Sequence, residues 1–596
     1  MSKEKRLFII FIGITFAFLI LSGRSFFLQV VEGKRWARLS RENCVRPIII
    51  KAPRGIIYDR NGKELVSNRP AYSIIAQDES SLKRIEEILN FPIARLKRRK
   101  NPLTVRDVPF ELICKIEERK NEFPGINVSA EPLRKYIFPE ILSHPIGYVG
   151  EVSREELGKY KLGDFIGRMG IEKKYEFYLA GKDGVMYMEV DARGNEIRPL
   201  EEAKFVPPQP GANLWLTIDV DLQKLAYESL NDYERGAIVA ANPKNGEILV
   251  YLSKPGFDAN TLSWGAPSSY WENLKDDPRA PLWDRVKNGR YPPGSIFKLI
   301  TAIAGLEEGI IKRNSYMELA CDGKIKIGNR IYNCWEKHGY LDLVNAIIQS
   351  CDVYFYQLGM KIGVDKLATY AKRLGFGERT RIDLLGESEG FIPTRSWYGN
   401  RLTRGVVANL AIGQGEILAT PIQILNLGLI IANNGILFRP HIVKSIVLPN
   451  GETISPTIRR KTVRIDEQTL DIIKEAMIGV VNDVKGTGRQ ARIIGIKVAG
   501  KTGTAENPHG EDHALFLGFA PVEDPEICVV AVIENGGKGG SVAAPIVGKM
   551  IKKYFNLKAR RSLVSKGDRV QELPGGNVGT DPKTCTISRT DLTIGL

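Results

Sequence analysis

Beyond residue 30 the chain has no second apolar run long enough to span a bilayer, which excludes a polytopic channel or transporter. No internal repeat is visible, so a solenoid or propeller is excluded as well. Lys and Arg outnumber Asp and Glu by 85 to 69, a formal charge of +16, yet no basic helix or aromatic-interleaved basic patch stands out. The excess therefore reads as a surface facing anionic lipid or polymer, with no nucleic-acid partner. Cysteine is scarce and odd in number, seven in 596 residues, so at least one is unpaired or joins two chains. A chain of this length exceeds one hydrophobic core, and two or more domains are expected.

What is present begins at the N-terminus. Lys3, Lys5 and Arg6 precede an uncharged run rich in Phe, Ile and Leu over residues 7–23, which Ser25-Phe26-Phe27-Leu28 can extend. No small-x-small cleavage site follows, so the segment reads as an uncleaved anchor over residues 7–28 rather than a signal peptide. Its positive flank, residues 1–6, is expected in the cytoplasm and the body outside it. Residues 29–211 are mixed, with Asn61-Gly62 as a hairpin signal, a polar, helix-rich insert at about 78–130 (helical spacing from Ser81 to Lys100), and a Pro-rich linker at 206–211. A second unit spans residues 212–557, with strands at 214–218, 237–241, 248–250, 493–499, 514–520 and 527–533, helices through much of 296–480 and a last helix at 544–554. This order implies an α+β fold, a largely antiparallel sheet flanked by helices. The tail, residues 558–596, has few large apolar residues and is expected to be disordered.

The most pointed local signal is Tyr291-Pro292-Pro293-Gly294-Ser295-Ile296-Phe297-Lys298. A serine hydroxyl needs a neighbouring base to act as a nucleophile, and residues three apart share a helix face, so Lys298 can reach Ser295. A helix N-terminus also offers N–H groups to an oxyanion. The spacing alone decides nothing, because Ser2 and Lys5, and Ser80 and Lys83, share it. Two further motifs follow in order: Ser350-Cys351-Asp352 and Lys501-Thr502-Gly503-Thr504-Ala505.

The three motifs together match the signature of penicillin-binding proteins and class A β-lactamases. The chain resembles a class B penicillin-binding protein over nearly its whole length. Arg54-Gly55 through Gly62, Gly170-Ile171-Glu172 with Tyr175-Glu176, and Asp191-Ala192-Arg193-Gly194 are similar to that class's elongated α+β pedestal. Ile412-Gly413-Gln414-Gly415 with Thr420-Pro421 and Gln423 resembles its transpeptidase domain. Asp352 within Ser350–Tyr356 is similar to the elongation type, where the division type usually has asparagine. The glycosyltransferase domain of class A is lacking.

The resemblance implies a peptidoglycan D,D-transpeptidase acting on D-alanyl-D-alanine stem peptides and acylated by β-lactams. In that reading Ser295 is the nucleophile, Lys298 the base with its pKa lowered by burial and by Lys501, and Ser350 a proton relay. Lys501, Thr502 and Thr504 face the substrate carboxylate, Gly503 lets the strand approach the substrate, and the N–H groups of Ser295 and Thr504 form the oxyanion hole. Asp352 lies beside the substrate. Implied partners are a SEDS-family glycan polymerase and other elongation-complex proteins in the bacterial inner membrane. A D,D-carboxypeptidase, a β-lactamase and a non-enzymatic β-lactam sensor are the alternatives. Cys321, Cys334, His338 and Cys351 make up a complete tetrahedral set for structural zinc, and penicillin-binding protein 2 relatives hold zinc at matching positions. A Cys321–Cys334 disulfide is the competing reading.

Overall fold

The computed structural model describes residues 2–36, 45–89, 97–100, 103–161, 163–190, 196–200 and 205–568. Ile-Cys-Val-Val-Ala-Val-Ile at 527–533 is an unbroken apolar run, as a strand covered on both faces requires, and all seven residues are buried. It is the central strand of a five-stranded antiparallel sheet ordered Ile248–Lys254, Gly236–Ala241, Ile527–Ile533, His513–Ala520, Ala499–Ala505. The helix Pro421–Ala432 packs on this sheet with all twelve residues buried; Thr420 and Gln423 close a capping box at its start, with Pro421 in the first turn.

Two sequence expectations shift here. The strand expected at 493–499 instead runs from Ala499 to Ala505 and carries the Lys501 motif itself. Residues before it turn at Gly495, φ +80°, leaving Ile494 97% exposed. At the C-terminus the helix spans Ala543–Asp568, so residues 558–568 are helical rather than disordered; residues 569–596 lie outside the described residues. The chain divides into two compact units, residues 1–551 and 552–596, and the described part of the second is helix.

In the pedestal, Asn61-Gly62 closes a hairpin between Ile57–Tyr58 and Glu64–Ala76, with Gly62 at φ +83°. Asp59 Oδ1 accepts from the Asn61 and Lys63 amides at 2.7 and 2.9 Å. The long strand Glu64–Ala76 pairs in register with Ile126–Tyr136. The insert builds its own core, in which Leu82 and Ile85 of the helix Glu79–Leu89 meet Val105, Leu112, Ile116 and Phe123. Its expected helix to Lys100 is corrected: Lys97–Lys100 is a strand paired with Leu103–Val108. The motif at 191–194 lies outside the described residues.

The linker at 206–211 is ordered by backbone pairing, Val206 with Val185 and Gln209 with Lys182. Just beyond it, Asn213–Leu216 pairs with Ile57–Tyr58 on one side and Val443–Val447 on the other, so pedestal and catalytic strands belong to one sheet. Beside this seam Arg54 contacts Glu172 and Glu176, both at 2.8 Å, and Arg134 contacts Glu172 at 2.7 Å. Burial opposes ionisation of Glu172, but the Arg134 and Arg54 charges outweigh it and hold the carboxyl below its usual range.

At the N-terminus the helix Lys3–Phe26 continues through Val31 and is long and apolar enough to cross a membrane.

Candidate active site and adjoining metal-ligand cluster

The nucleophile motif sits on a short 3₁₀ turn, Gly294–Ile296, leading into the helix Phe297–Glu307. Gly294 has φ +52°, and a Cβ there would collide with the Thr504 carbonyl oxygen, so only glycine lets this turn abut the edge strand. Gly503 serves the same contact from the other side: a Cβ would stand 3.0 Å from Pro293 O. The close approach that glycine permits at 503 is thus to the Ser295 turn.

Lys298 is fully buried. Its Nζ donates to Ser350 O at 2.7 Å and Ser350 Oγ at 3.2 Å, and pairs with Asp352 Oδ1 at 2.7 Å. All three N–H directions are taken, and among the described residues no hydrogen bond joins it to Ser295. Lys501 Nζ lies 2.9 Å from the same Ser350 Oγ and 3.2 Å from Thr502 O. Burial first and the Lys298 charge second push the Lys501 ammonium well below the ordinary lysine range, with Asp352 pulling back. The depressed amine is therefore Lys501, and the amine held by a carboxylate is Lys298. Burial raises the Asp352 carboxyl above its usual range, outweighing the Lys298 charge.

Ser350 stands at φ +53°, a left-handed conformation that costs a non-glycine residue roughly 1–2 kcal/mol. Its neighbours hold it there. Asp352 N donates to Cys334 Sγ at 3.2 Å, Trp335 Nε1 donates to Gln349 O at 3.0 Å, and the Cys351 side chain turns into a cluster with Cys321, Cys334 and His338. The four ligand atoms lie within 4.8 Å of one another. His338 Nδ1 is 3.4 Å from Cys321 Sγ and 3.5 Å from Cys334 Sγ. Ligands of a tetrahedral zinc, at about 2.3 Å for sulfur and 2.0 Å for nitrogen, stand roughly 3.5 Å apart, so the donor set and spacing fit the ion. The Cys334 thiol is driven far down by its hydrogen bond with the Cys351 thiol, against burial, and Cys351 is driven up. The cysteines 114, 321, 334, 351 and 528 are all free thiols.

The remaining motif residues lie along the edge strand. Thr502 Oγ1 is 2.8 Å from Thr487 Oγ1, and Thr504 Oγ1 accepts from Gly539 N at 3.4 Å. Thr487, Gly539 and Trp335 carried no sequence signal of their own. Gln414, noted only as part of a family-like run, donates from Nε2 to Thr504 O at 3.0 Å.

A five-stranded antiparallel sheet whose edge lysine meets the serine-lysine turn through a second serine defines a penicillin-binding transpeptidase. The chain belongs to that family: the model for the penicillin-binding protein transpeptidase domain matches residues 236–552, and that for the penicillin-binding protein dimerisation domain matches 49–216. Within it the chain is of the penicillin-binding protein 2 type. It is 32% identical to the peptidoglycan D,D-transpeptidase MrdA of Acinetobacter baumannii, across 94% of this chain and 90% of that one. The complex of penicillin-binding protein 2 with MreC from Helicobacter pylori matches with TM-score 0.74 and 30% identity, over 86% of this chain and 99% of that one. A structure described as a peptidoglycan synthase complex coordinating polymerization and crosslinking matches with TM-score 0.72 and 31% identity, over 92% and 98%.

Proposed function

We propose that this enzyme, a peptidoglycan D,D-transpeptidase, cross-links stem peptides during cell elongation through an acyl-Ser295 intermediate. The observation that carries the site assignment is the continuous contact from Lys298 through Ser350 Oγ to Lys501 beside the Ser295 turn. With Lys501 neutral, the Ser350 hydroxyl can donate to it and accept from Lys298; as Oγ attacks the carbonyl of the penultimate D-alanine, Lys298 takes the Ser295 proton and passes one of its own through Ser350 to Lys501. The N–H groups of Ser295 and Thr504 hold the oxyanion. Collapse returns a proton to the departing D-alanine amine. An amine of a neighbouring strand then attacks the ester, which regenerates Ser295 and leaves a new amide. Lys501, Thr502 and Thr504 bind the terminal carboxylate, and Asp352 orients Lys298.

A β-lactam presents the same carbonyl and stays attached as the acyl-enzyme. Mass spectrometry after labelled penicillin should find the adduct on the peptide containing Ser295; labelling elsewhere, or none, overturns the assignment. Cys321, Cys334, His338 and Cys351 would hold one structural zinc, whose chemistry is to pin the loop presenting Ser350. Metal analysis should give one zinc per chain and markedly less for His338→Ala, whereas a metal-free protein with Cys321 and Cys334 oxidised would refute it. The apolar helix anchors the enzyme in the bacterial inner membrane with the catalytic domain outside. The likeness to a complex of penicillin-binding protein 2 with MreC and to a peptidoglycan synthase complex supports a SEDS-family polymerase and elongation-complex proteins as partners.

A further inference from the structure

The sheet ends at Ala499–Ala505, so one edge of that strand has no strand partner among the described residues. An extended peptide binds such an edge by adding itself as a further strand, its amide N–H groups donating to the free carbonyls. Thr504 O is a carbonyl on that edge: it faces Gly294 in the nucleophile turn, whereas Gly503 O is packed against Gly539. An acyl-donor peptide lying between Ser295 and this strand would direct an amide N–H at Thr504 O. That oxygen already has a donor, the Gln414 side-chain amide at 3.0 Å.

The Gln414 backbone is fixed in this position. Gln414 N donates to Asn409 O at 3.1 Å, Gly413 N to Leu410 O at 3.0 Å, and Gly294 N to Gly413 O at 3.0 Å, while Tyr398 OH holds Glu416 two residues on. The side chain itself is only part-buried.

We infer that Gln414 is a positioning residue that occupies the Thr504 carbonyl in the free enzyme and yields it to the donor-strand amide on binding. It thereby lowers the affinity for ligands that present an N–H there and keeps the edge strand from pairing with unrelated chain. This rests on the transpeptidase reading of the Ser295 site.

The test compares two labelled β-lactams on the full-length protein: a penicillin, whose acylamino group carries an N–H, and a carbapenem with a hydroxyethyl group and no such N–H. Gln414→Met keeps the side-chain volume but removes the donor. The ratio of carbapenem to penicillin dissociation constants, measured before acylation, should shift about 3- to 10-fold in favour of the penicillin, the worth of one hydrogen bond. A ratio that stays constant, or moves the other way, overturns the inference. Gln414→Leu should behave alike, which guards against a folding defect in one variant. Loss of Ser295 labelling in the wild type would instead defeat the site assignment, so the two failures are distinguishable.

Discussion

Two of the buried ionic clusters among the described residues are built on opposite principles. In the pedestal two guanidinium groups, Arg54 and Arg134, face two carboxylates, Glu172 and Glu176, at 2.7–2.8 Å. In the catalytic site two amines, Lys298 and Lys501, share one carboxylate, Asp352, and a hydroxyl presented by a residue in a left-handed conformation. Balanced charge holds the pedestal carboxyl Glu172 ionised despite full burial. Burial first, and the unbalanced charge of Lys298 second, drive Lys501 toward its neutral form. The first arrangement locks the seam between two domains; the second favours a neutral amine beside the Ser350 hydroxyl.

The comparison can be broken at several points. Lys298→Met removes the base and should slow Ser295 acylation by roughly 10²–10⁴-fold, read by labelled-penicillin kinetics. Glu172→Gln leaves buried Arg134 without its countercharge and Arg54 with Glu176 alone, and should cost about 3–5 kcal/mol of stability, seen as a lower thermal midpoint. Acylation by that variant, measured below its melt, should keep the wild-type rate; a slowed rate with an unchanged melt would reverse the contrast drawn here. The smallest effect concerns pH. Burial and Lys298 lower the Lys501 pKa and Asp352 raises it, so a rate needing the neutral amine is full above that pKa and falls as pH drops through it. Asp352→Asn should move this acid limb down by about one unit, and a shift upward would show that Lys501 is not the group being titrated.

Much of this was legible in the chain. Ser295, Lys298, Ser350 and Lys501 stand in three short motifs whose order identifies the family, and the apolar run 527–533 reads as a strand, which the sheet order places at its centre. The strand at 499–505 was misplaced because its motif is rich in Gly and Thr and has little apolar alternation, while the residues before it look more strand-like yet turn at Gly495. The basic run 97–100 continues a helical pattern locally, but pairing with Leu103–Val108 made it a strand. The 206–211 segment has linker composition, and only cross-pairing with Lys182 and Val185 orders it.

By itself, then, the sequence determined the chemical groups and their family: a serine, two lysines, a second serine, and three thiols with an imidazole. Those are matters of residue type and spacing. The tertiary structure decided which amine is depressed and which is paired. Lys298 and Lys501 are about two hundred residues apart, and burial, not spacing, depresses Lys501. It also decided that Gln414 meets Thr504 across ninety residues and that pedestal and catalytic domain share a sheet. Such relations depend on packing between distant segments, which local propensity does not encode.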